Sequence, residues 1–463
     1  MNPQPATPAA FKLMQEGSQA LAEVESHGIR IDTAYLDKAI EWSQEKIDEY
    51  DEEMREDDIY SAWQRRFGVR ADVTSPKQFQ TILFDEMGLE VKSWTSEDEQ
   101  TRQPKMEEEA LQHIDLPFVK TWIERRRMVK TRSTYLLGIR AELANGFLHP
   151  VFNLHFAQTF RSSSDSPNFQ NFPNRNPKHR KIVRRAFIPY DDESMLIEID
   201  YGALEFRGAA CFWQDPAMIA YASDPSLDIH RDMAAECYEL DIDQVTKAVR
   251  SLAKNRFVFP TLYGSWYGAV GEGLWSAIEK ENLTLPDGTS LYDHLATKGI
   301  SSLGSTKNPT PGTYQHHAKA VQEAFADRFP HWAKQKDIWW EQYLKNGWFR
   351  MKTGFVCSGV YSLNDLMNYP IQGASFHLLL WSLTRLNEWM KKKKMQSRIV
   401  GQIHDSIVSS VRKDELDDFM FMANKIMTQD VREHWDWVVT PLEIEAEGSD
   451  TNWNEMKPLP LAV

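Results

Sequence analysis

The chain has 463 residues and only three cysteines, Cys211, Cys237 and Cys357. They are widely spaced and form no CxxC pair. This argues against a zinc site and reads as buried, reduced thiols of a cytosolic protein. No run of about 18 apolar residues occurs, so no transmembrane helix is expected. The N-terminal stretch MNPQPATPAAFKLMQEG lacks a basic start followed by an apolar core, so no secretory signal is expected. There is no internal repeat, and no low-complexity segment beyond the Pro/Ala-rich first ten residues. Positive charge is also scarce: 53 Lys and Arg stand against 67 Asp and Glu, a net charge of −14. As a total, that balance argues against a nucleic-acid partner.

What is present modifies this picture. Charge is clustered. Acidic residues crowd 44–58, including DEYDEEMREDD, and 97–109. Basic residues crowd 124–132 (ERRRMVKTR), 175–185 (RNPKHRKIVRR) and 391–394 (KKKK). Local patches, rather than totals, meet phosphates, although any one run also fits a solvated helix face. Aromatics are plentiful, with 16 Trp, and the length exceeds one compact core, which implies two or three subdomains.

The pattern predicts helix over 11–65, punctuated at Gly28, with a short strand or turn at GIRID, 28–32. Helix is again predicted over 105–145. FLHPVFNLHFAQT then alternates like a half-buried antiparallel strand, and MLIEIDYG, 195–202, is a second strand. Residues 226–263 read as mostly helical, with Asp243 as an N-cap. Residues 281–313 read as a loop-heavy insertion, and 314–345 as helix. ASFHLLLWSLTRLNEWM, 374–390, places Phe376, Leu379, Leu380, Leu383, Leu386 and Met390 on one helix face. GQIHDSIVSS comes next as an apolar hairpin interrupted by His404 and Asp405. Helices flanking a few antiparallel strands make an α+β protein.

Three constellations carry chemistry. Asp200 ends one strand and Asp405 sits at the hairpin turn. Each alone reads as a turn residue, but two strand-end carboxylates in one sheet can hold two divalent cations together with substrate phosphates. In TKAVRSLAKNRFVFPTLYG, 246–264, Lys247, Arg250 and Lys254 fall on one helix face, which Phe257 and Val258 continue. Cations ending in an aromatic suit a nucleoside triphosphate, against the plainer reading of a solvated face, and Pro260 argues against a regular helix. TFRSSSDSPNFQNFPNR, 159–175, is a polar, proline-stiffened loop suited to phosphate and minor-groove contacts.

These stretches resemble the polymerase portion of the family A DNA polymerases, the DNA polymerase I type. DYGALEFR (200–207) resembles the family's DYSQIELR, and IHDSIV (403–408) its VHDELV. RSLAKNRFVFPTLYG resembles its Arg-x3-Lys-x3-Phe-x3-Tyr-Gly helix, and TFRSSSDSPNFQNFPNR its TGRLSSTDPNLQNIPVR. LDIHR, NYPIQG, SPKQFQTILFDEMGL, KTRSTY and PLEIEAEGSDTNW also match, so the resemblance covers nearly the whole chain. It implies a right-hand fold with an antiparallel palm sheet, helical fingers and a helical thumb. The segments would be 1–40 joining the palm, 41–145 thumb, 146–225 palm, 226–345 fingers and 346–463 palm.

It further implies a template-directed DNA polymerase acting on primer–template DNA and deoxynucleoside triphosphates, with two Mg²⁺ ions or Mn²⁺ as substitute. Asp200, Asp405 and the Tyr201 carbonyl would hold the metals. Arg250, Lys254 and His230 would bind the triphosphate. Phe259 would stack on the base, with Phe257 as the alternative aromatic. Tyr263 would lie under the nascent pair beside Glu205, which would exclude ribose. Lys130, Arg161, Gln170, Asn171, Arg175, Gln372 and His404 would contact DNA. A cytoplasmic setting, bacterial or in a phage-infected host, is expected, with a separate exonuclease or processivity factor as a candidate partner.

The departures are specific. Ser406 stands where the family has a second acid. One extra residue lies between Lys254 and Tyr263, expected as a local bulge near Arg256. Asn364 replaces the usual Arg. The 281–313 loop is longer than the family pattern. The short segment before the thumb-like region leaves no room for a proofreading domain, which implies a polymerase module without one in this chain, whether by truncation or in the natural gene. A non-catalytic DNA-binding scaffold and a single-subunit RNA polymerase relative are the alternatives. Retention of Asp200, Asp405, Arg250 and Lys254 argues against the first, and Glu205 with Tyr263 against the second.

Overall fold

The computed structural model describes residues 4–461, except 92, 97, 99, 112, 175 and 282. The chain divides into two compact units. The first comprises residues 1–29, 149–170 and 188–463. The second comprises 30–148 and 171–187. The boundary expected at residue 40 falls inside the helix Thr33–Arg55, and the stretch 171–187 belongs to the second unit rather than to the strand-rich one.

The first unit is organised by a five-stranded antiparallel sheet in the order Arg398–Ile403, Ser406–Arg412, Ser194–Tyr201, Ile444–Ser449, Lys457–Pro458. Ser194–Tyr201 is central. One side of it pairs Ser406 with Asp200 and Ile407 with Ile199, and the other pairs Glu445 with Asp200 and Ala446 with Ile199. Residues alternate across a pleated strand. Ile197, Ile199 and Tyr201 therefore share a buried face with Ile407, Ile444 and Ala446, while Glu198 and Asp200 share the other.

Helix Leu363–Lys393 is the hydrophobic axis of this unit. Ser362 and Asp365 form its capping box. The expected single apolar face is too narrow a description, because Leu378, Trp381, Ser382, Thr384 and Asn387 are buried as well. A helix apolar on most sides is surrounded by protein. Helix Pro8–His27, capped by Thr7, packs against it, and a Cβ on Gly17 would come 2.7 Å from Leu380. That approach requires glycine.

A helical subassembly around Phe257, Tyr314, Phe325 and Phe329 forms the core next to the sheet. Its insertion at 281–313 contains the helix Leu291–Thr297 and is otherwise loop, as expected. The expected N-cap at Asp243 is corrected. Thr246 caps Lys247–Ala253 by accepting from Val249 N–H, and Asp243 lies in the preceding turn Ile242–Gln244. The alternating stretch at 147–159 forms only Phe147–Leu148 and Val151–Asn153, because Pro150 lacks the N–H that would continue a ladder.

The second unit is mainly helical, with Thr33–Arg55, Asp58–Phe67 and Pro117–Lys130 around Trp63, Phe79, Phe118 and Trp122. The Phe79 and Trp122 rings lie 4.4 Å apart, and both indole N–H groups are satisfied, by Gln78 and by the Val73 carbonyl. The basic run at 124–132 is largely spent inside this unit. Arg125 pairs with Asp51, Arg127 with Glu108 and Glu124, and Arg126 stacks on Trp122. The acidic run at 44–58 supplies one of these partners. Among the described residues, no helix is long and apolar enough to cross a membrane, and all three cysteines are free and buried.

One buried titratable group gives a stability prediction. His377 is 1 % exposed, packs against Phe355, and has Nδ1 2.7 Å from the Thr353 hydroxyl. Burial pushes its imidazole down to about 3. The unfolded chain binds a proton near pH 6.5 that the folded chain refuses, so this contribution is full above pH 6.5 and is lost as pH falls towards 3. Urea melts at pH 7.5 and 5.0 should show His377→Gln losing about 2 kcal/mol less stability than the unmodified chain over that interval. Equal losses would show that His377 does not carry the effect.

Candidate active site

Asp200 and Asp405 are brought together by register. Ser406 starts its strand directly opposite Asp200, so Asp405, in the turn just before it, faces the end of the central strand. His404 opens that turn with φ 49°, a left-handed conformation costly for a non-glycine residue. Gln402, 1 % exposed, supports it. Its amide donates to the His404 carbonyl at 2.7 Å, while its oxygen accepts from Ser162 at 2.5 Å and from Gln170 at 2.8 Å. The polar loop 159–170 is thereby fastened to the hairpin. Gln170, expected to reach DNA, spends its amide N–H groups on this internal network.

The two carboxylates are unevenly compensated. Asp200 is pushed up to about 7 by its surroundings, first by desolvation and then by the neighbouring Asp405 and Glu198. Asp405 Oδ1 has no hydrogen-bond partner among the described residues, and its nearest cation is Arg161 Nη2 at 3.7 Å. Arg161 is held more closely by Glu205, at 3.0 Å. Desolvation raises Glu205 above the ordinary carboxylate range, against the pull of Arg161. Desolvation and the Arg161 charge lower His404. Among the described residues, no group of three His, Cys, Asp or Glu is disposed to hold a metal unaided. The uncompensated acid pair nevertheless fits a divalent cation that takes its remaining oxygens from substrate and water.

A cationic and aromatic row accompanies the acids. After Lys247–Ala253 the helix widens to a π segment, Lys254–Val258, then resumes as Phe259–Leu262. The extra residue is thus absorbed around Arg256. The widened turn rotates the residues beyond it. Phe257 and Val258 do not continue the cationic face but lie fully buried in the helical core. Phe259 emerges instead, with Lys254 Nζ 5.4 Å from its ring centre, His230 edge-on at 5.6 Å and Tyr263 stacked at 6.2 Å. Pro260 sits in the first turn of the resumed helix, where its missing N–H costs least.

His230 is 2 % exposed and neither ring nitrogen has a hydrogen-bond partner among the described residues. Burial, with Lys254 and Arg250 nearby, pushes it down to about 3. Arg250 is tied to Asp228 by bonds of 2.6 and 3.2 Å. Burial would raise Asp228, but the Arg250 contact and the Arg231 backbone N–H together outweigh it and hold the carboxyl below its usual range. Burial, then the Glu205 carboxylate, drives the Tyr263 phenol well up, with Gln372 beside it. Tyr201 faces away from the acids, its hydroxyl bonded to the Met427 carbonyl at 2.9 Å and 3.0 Å from the Ser382 hydroxyl, so only its backbone is near them.

Of the other expected DNA contacts, Lys130 is exposed at the end of its helix and Asn171 is exposed in a short turn, both in the second unit. Arg175 lies outside the described residues. Sequence reasoning missed Gln402, Ser162 and Glu198. The available signal was a polar side chain inside an apolar strand, in RIVGQI and in MLIEI.

Comparison with known proteins shows the family. The model of DNA polymerase family A matches residues 40–281 and 362–455, well over half of the chain. The chain belongs to DNA polymerase family A. It is 26 % identical to DNA polymerase I of Bacillus subtilis over 440 residues, covering 94 % of this chain and 44 % of that protein. It is also 26 % identical to DNA polymerase I of Geobacillus stearothermophilus over 427 residues, covering 91 % and 44 %. The chain therefore spans less than half the length of these curated relatives. Among solved structures, it is similar to the POL domain of Pol1 from M. smegmatis in complex with DNA primer-template and dNTP. That match has a TM-score of 0.73 and 22 % identity, covering 95 % of this chain and 70 % of the other.

The Gln402 network predicts a measurable cost. Gln402→Leu should strip partners from the His404 carbonyl, Ser162 and Gln170, and destabilise the chain by about 1–3 kcal/mol. A urea midpoint unchanged from the parent would show that the network does not hold the turn.

Proposed function

We propose that this chain is a template-directed DNA polymerase that adds deoxyribonucleotides to a primer 3′-hydroxyl. The observation that carries the reading is the pairing of two under-compensated strand-end aspartates with the Arg250, Lys254, Phe259, Tyr263 row in the same unit. Family membership and the polymerase relatives support it. In this reading the second unit is the thumb, the helices from Ile229 to Asn346 are the fingers, and the central sheet is the palm. Free, buried cysteines suit a reducing cytoplasm.

Asp200, Asp405 and the Tyr201 carbonyl would hold two Mg²⁺ ions, with Mn²⁺ as a substitute. Such ions, when bound, activate the attacking oxygen and stabilise the leaving one. The chain's own residues do the rest. Lys254 and Arg250 neutralise triphosphate charge. His230, kept neutral by burial, donates to a phosphate oxygen from a ring nitrogen that otherwise has no partner. Phe259 stacks on the incoming base, the part the buried Phe257 cannot play. Tyr263 and Glu205 close the sugar side and leave no space for a 2′-hydroxyl. Arg161, Gln372 and His404, with Lys130, Asn171 and Arg175, contact primer and template. Gln170, with its amide N–H groups engaged by Ser162 and Gln402, acts by holding that network, while the other side chains reach a minor groove whose acceptors vary little between correct pairs.

Two experiments test the proposal. Extension of a labelled primer on a DNA template with Mg²⁺ and four deoxynucleotides should fall by roughly 10³-fold or more in Asp405→Ala, the loss expected when several kcal/mol of charge stabilisation disappear. Wild-type chain that binds DNA but does not extend it would overturn the catalytic reading in favour of a scaffold. Glu205→Ala should raise ribonucleotide incorporation relative to deoxyribonucleotide. Unchanged discrimination would remove Glu205 from sugar selection.

A further inference from the structure

The family pattern has an acid directly after the His-Asp, where this chain has Ser406. The structure shows an acid on the facing strand instead. Glu198 precedes Asp200 by two residues on the central strand, so both side chains leave the same face. The register sets Ser406 opposite Asp200 and Val408 opposite Glu198. Ser406 and Glu198 are therefore diagonal neighbours, close enough for side chains to meet. They do meet: Ser406 Oγ lies 3.0 Å from Glu198 Oε1. Trp453 Nε1 donates to Glu198 Oε2 at 2.8 Å, which fixes the carboxylate from its other oxygen. Ser406 is 3 % exposed, so an acid retained there would crowd Glu198 at close range.

We propose that Glu198 supplies the third negative charge of the Asp200–Asp405 cluster from the neighbouring strand, with Ser406 as its hydrogen-bonding partner. This rests on the polymerase reading and specifies how that site keeps its charge. Glu198 is a positioning residue: it strengthens cation binding through Asp200 and through the ion's own water shell, since Mg²⁺ keeps several waters. A purely structural role, tying Trp453 to the central strand, is the competing explanation. It survives replacement by glutamine, whose amide oxygen still accepts from the indole.

The test uses the full chain and Mn²⁺ binding followed by electron paramagnetic resonance. Binding is measured on the chain alone and with a dideoxy-terminated primer–template plus the next deoxynucleotide. Glu198→Gln should melt like the parent yet bind Mn²⁺ about ten-fold more weakly, as loss of one nearby unit charge predicts. The half-saturating Mg²⁺ for extension should rise by a similar factor, with less change in the rate at saturating Mg²⁺. The exchange variant, Glu198→Ser with Ser406→Glu, should return both values to within about three-fold of the parent. If the exchange variant does not fold, Glu198→Gln alone decides. Unchanged Mn²⁺ affinity in Glu198→Gln, or no Mn²⁺ binding by the unmodified chain, overturns the inference. A parent that binds Mn²⁺ in a Glu198-dependent way but extends no primer would instead overturn the polymerase reading and leave the charge relocation standing.

Discussion

The register of the central strand is the constraint on which the rest of the site depends. Ser194–Tyr201 is paired on both sides, with Ser406 and Glu445 both opposite Asp200. A slip of one residue would turn Ile197 and Ile199 outward and bury the acids, because side-chain direction alternates with a period of two. The buried face resists that slip. Tyr201 is anchored at its hydroxyl by Met427 and Ser382, and the isoleucines are fully buried. The same register that fills the core thus fixes one aspartate at a strand end and sets the other in the turn beside it.

Holding acids together is unfavourable, and the chain tolerates it by backbone constraint rather than by full ion pairing. Asp200 rises to about 7 because desolvation, Asp405 and Glu198 all disfavour its charge. Arg161 is shared between Glu205 and Asp405, closer to the first. His404 stays in a left-handed conformation with Gln402 bonded behind it. A site left short of positive charge, on a scaffold that cannot relax away, suits a cation that brings its own ligands. A fully salt-bridged cluster would have been more stable and less useful.

Much of this was legible before the structure because it was local. The strand MLIEIDYG, the hairpin around His404-Asp405 and the cation spacing from Lys247 to Lys254 are short-range patterns with their own physical signatures. What was not legible required partners distant in sequence. Ser406 and Glu198 are 208 residues apart, and Ser162 and Gln402 are 240 apart. A polar residue in an apolar strand announces only that a partner exists. Periodicity over 374–390 shows one apolar face because it records only where apolar residues fall, while the amount of protein around a helix is a tertiary property. The basic run at 124–132 conceals its partners in the same way, since Asp51 and Glu108 lie in other segments. The grouping of 171–187 with the second unit likewise depends on how the chain crosses between bodies.

The widened helical turn at Lys254–Val258 shows how a divergent sequence keeps such a site. An inserted residue in a regular helix rotates everything beyond it by about 100°, which would have exchanged the core-facing and cleft-facing aromatics. Absorbing it as a π segment confines the change to one turn. Phe257 can then fill the core beside Phe325 while Phe259 faces Lys254, His230 and Tyr263. The proposed use of Glu198, bonded to Ser406, as the third acid follows the same logic on the sheet. In both places the quantity preserved is a spatial one, an aromatic face or a local charge, and the residue that supplies it is free to move along the chain.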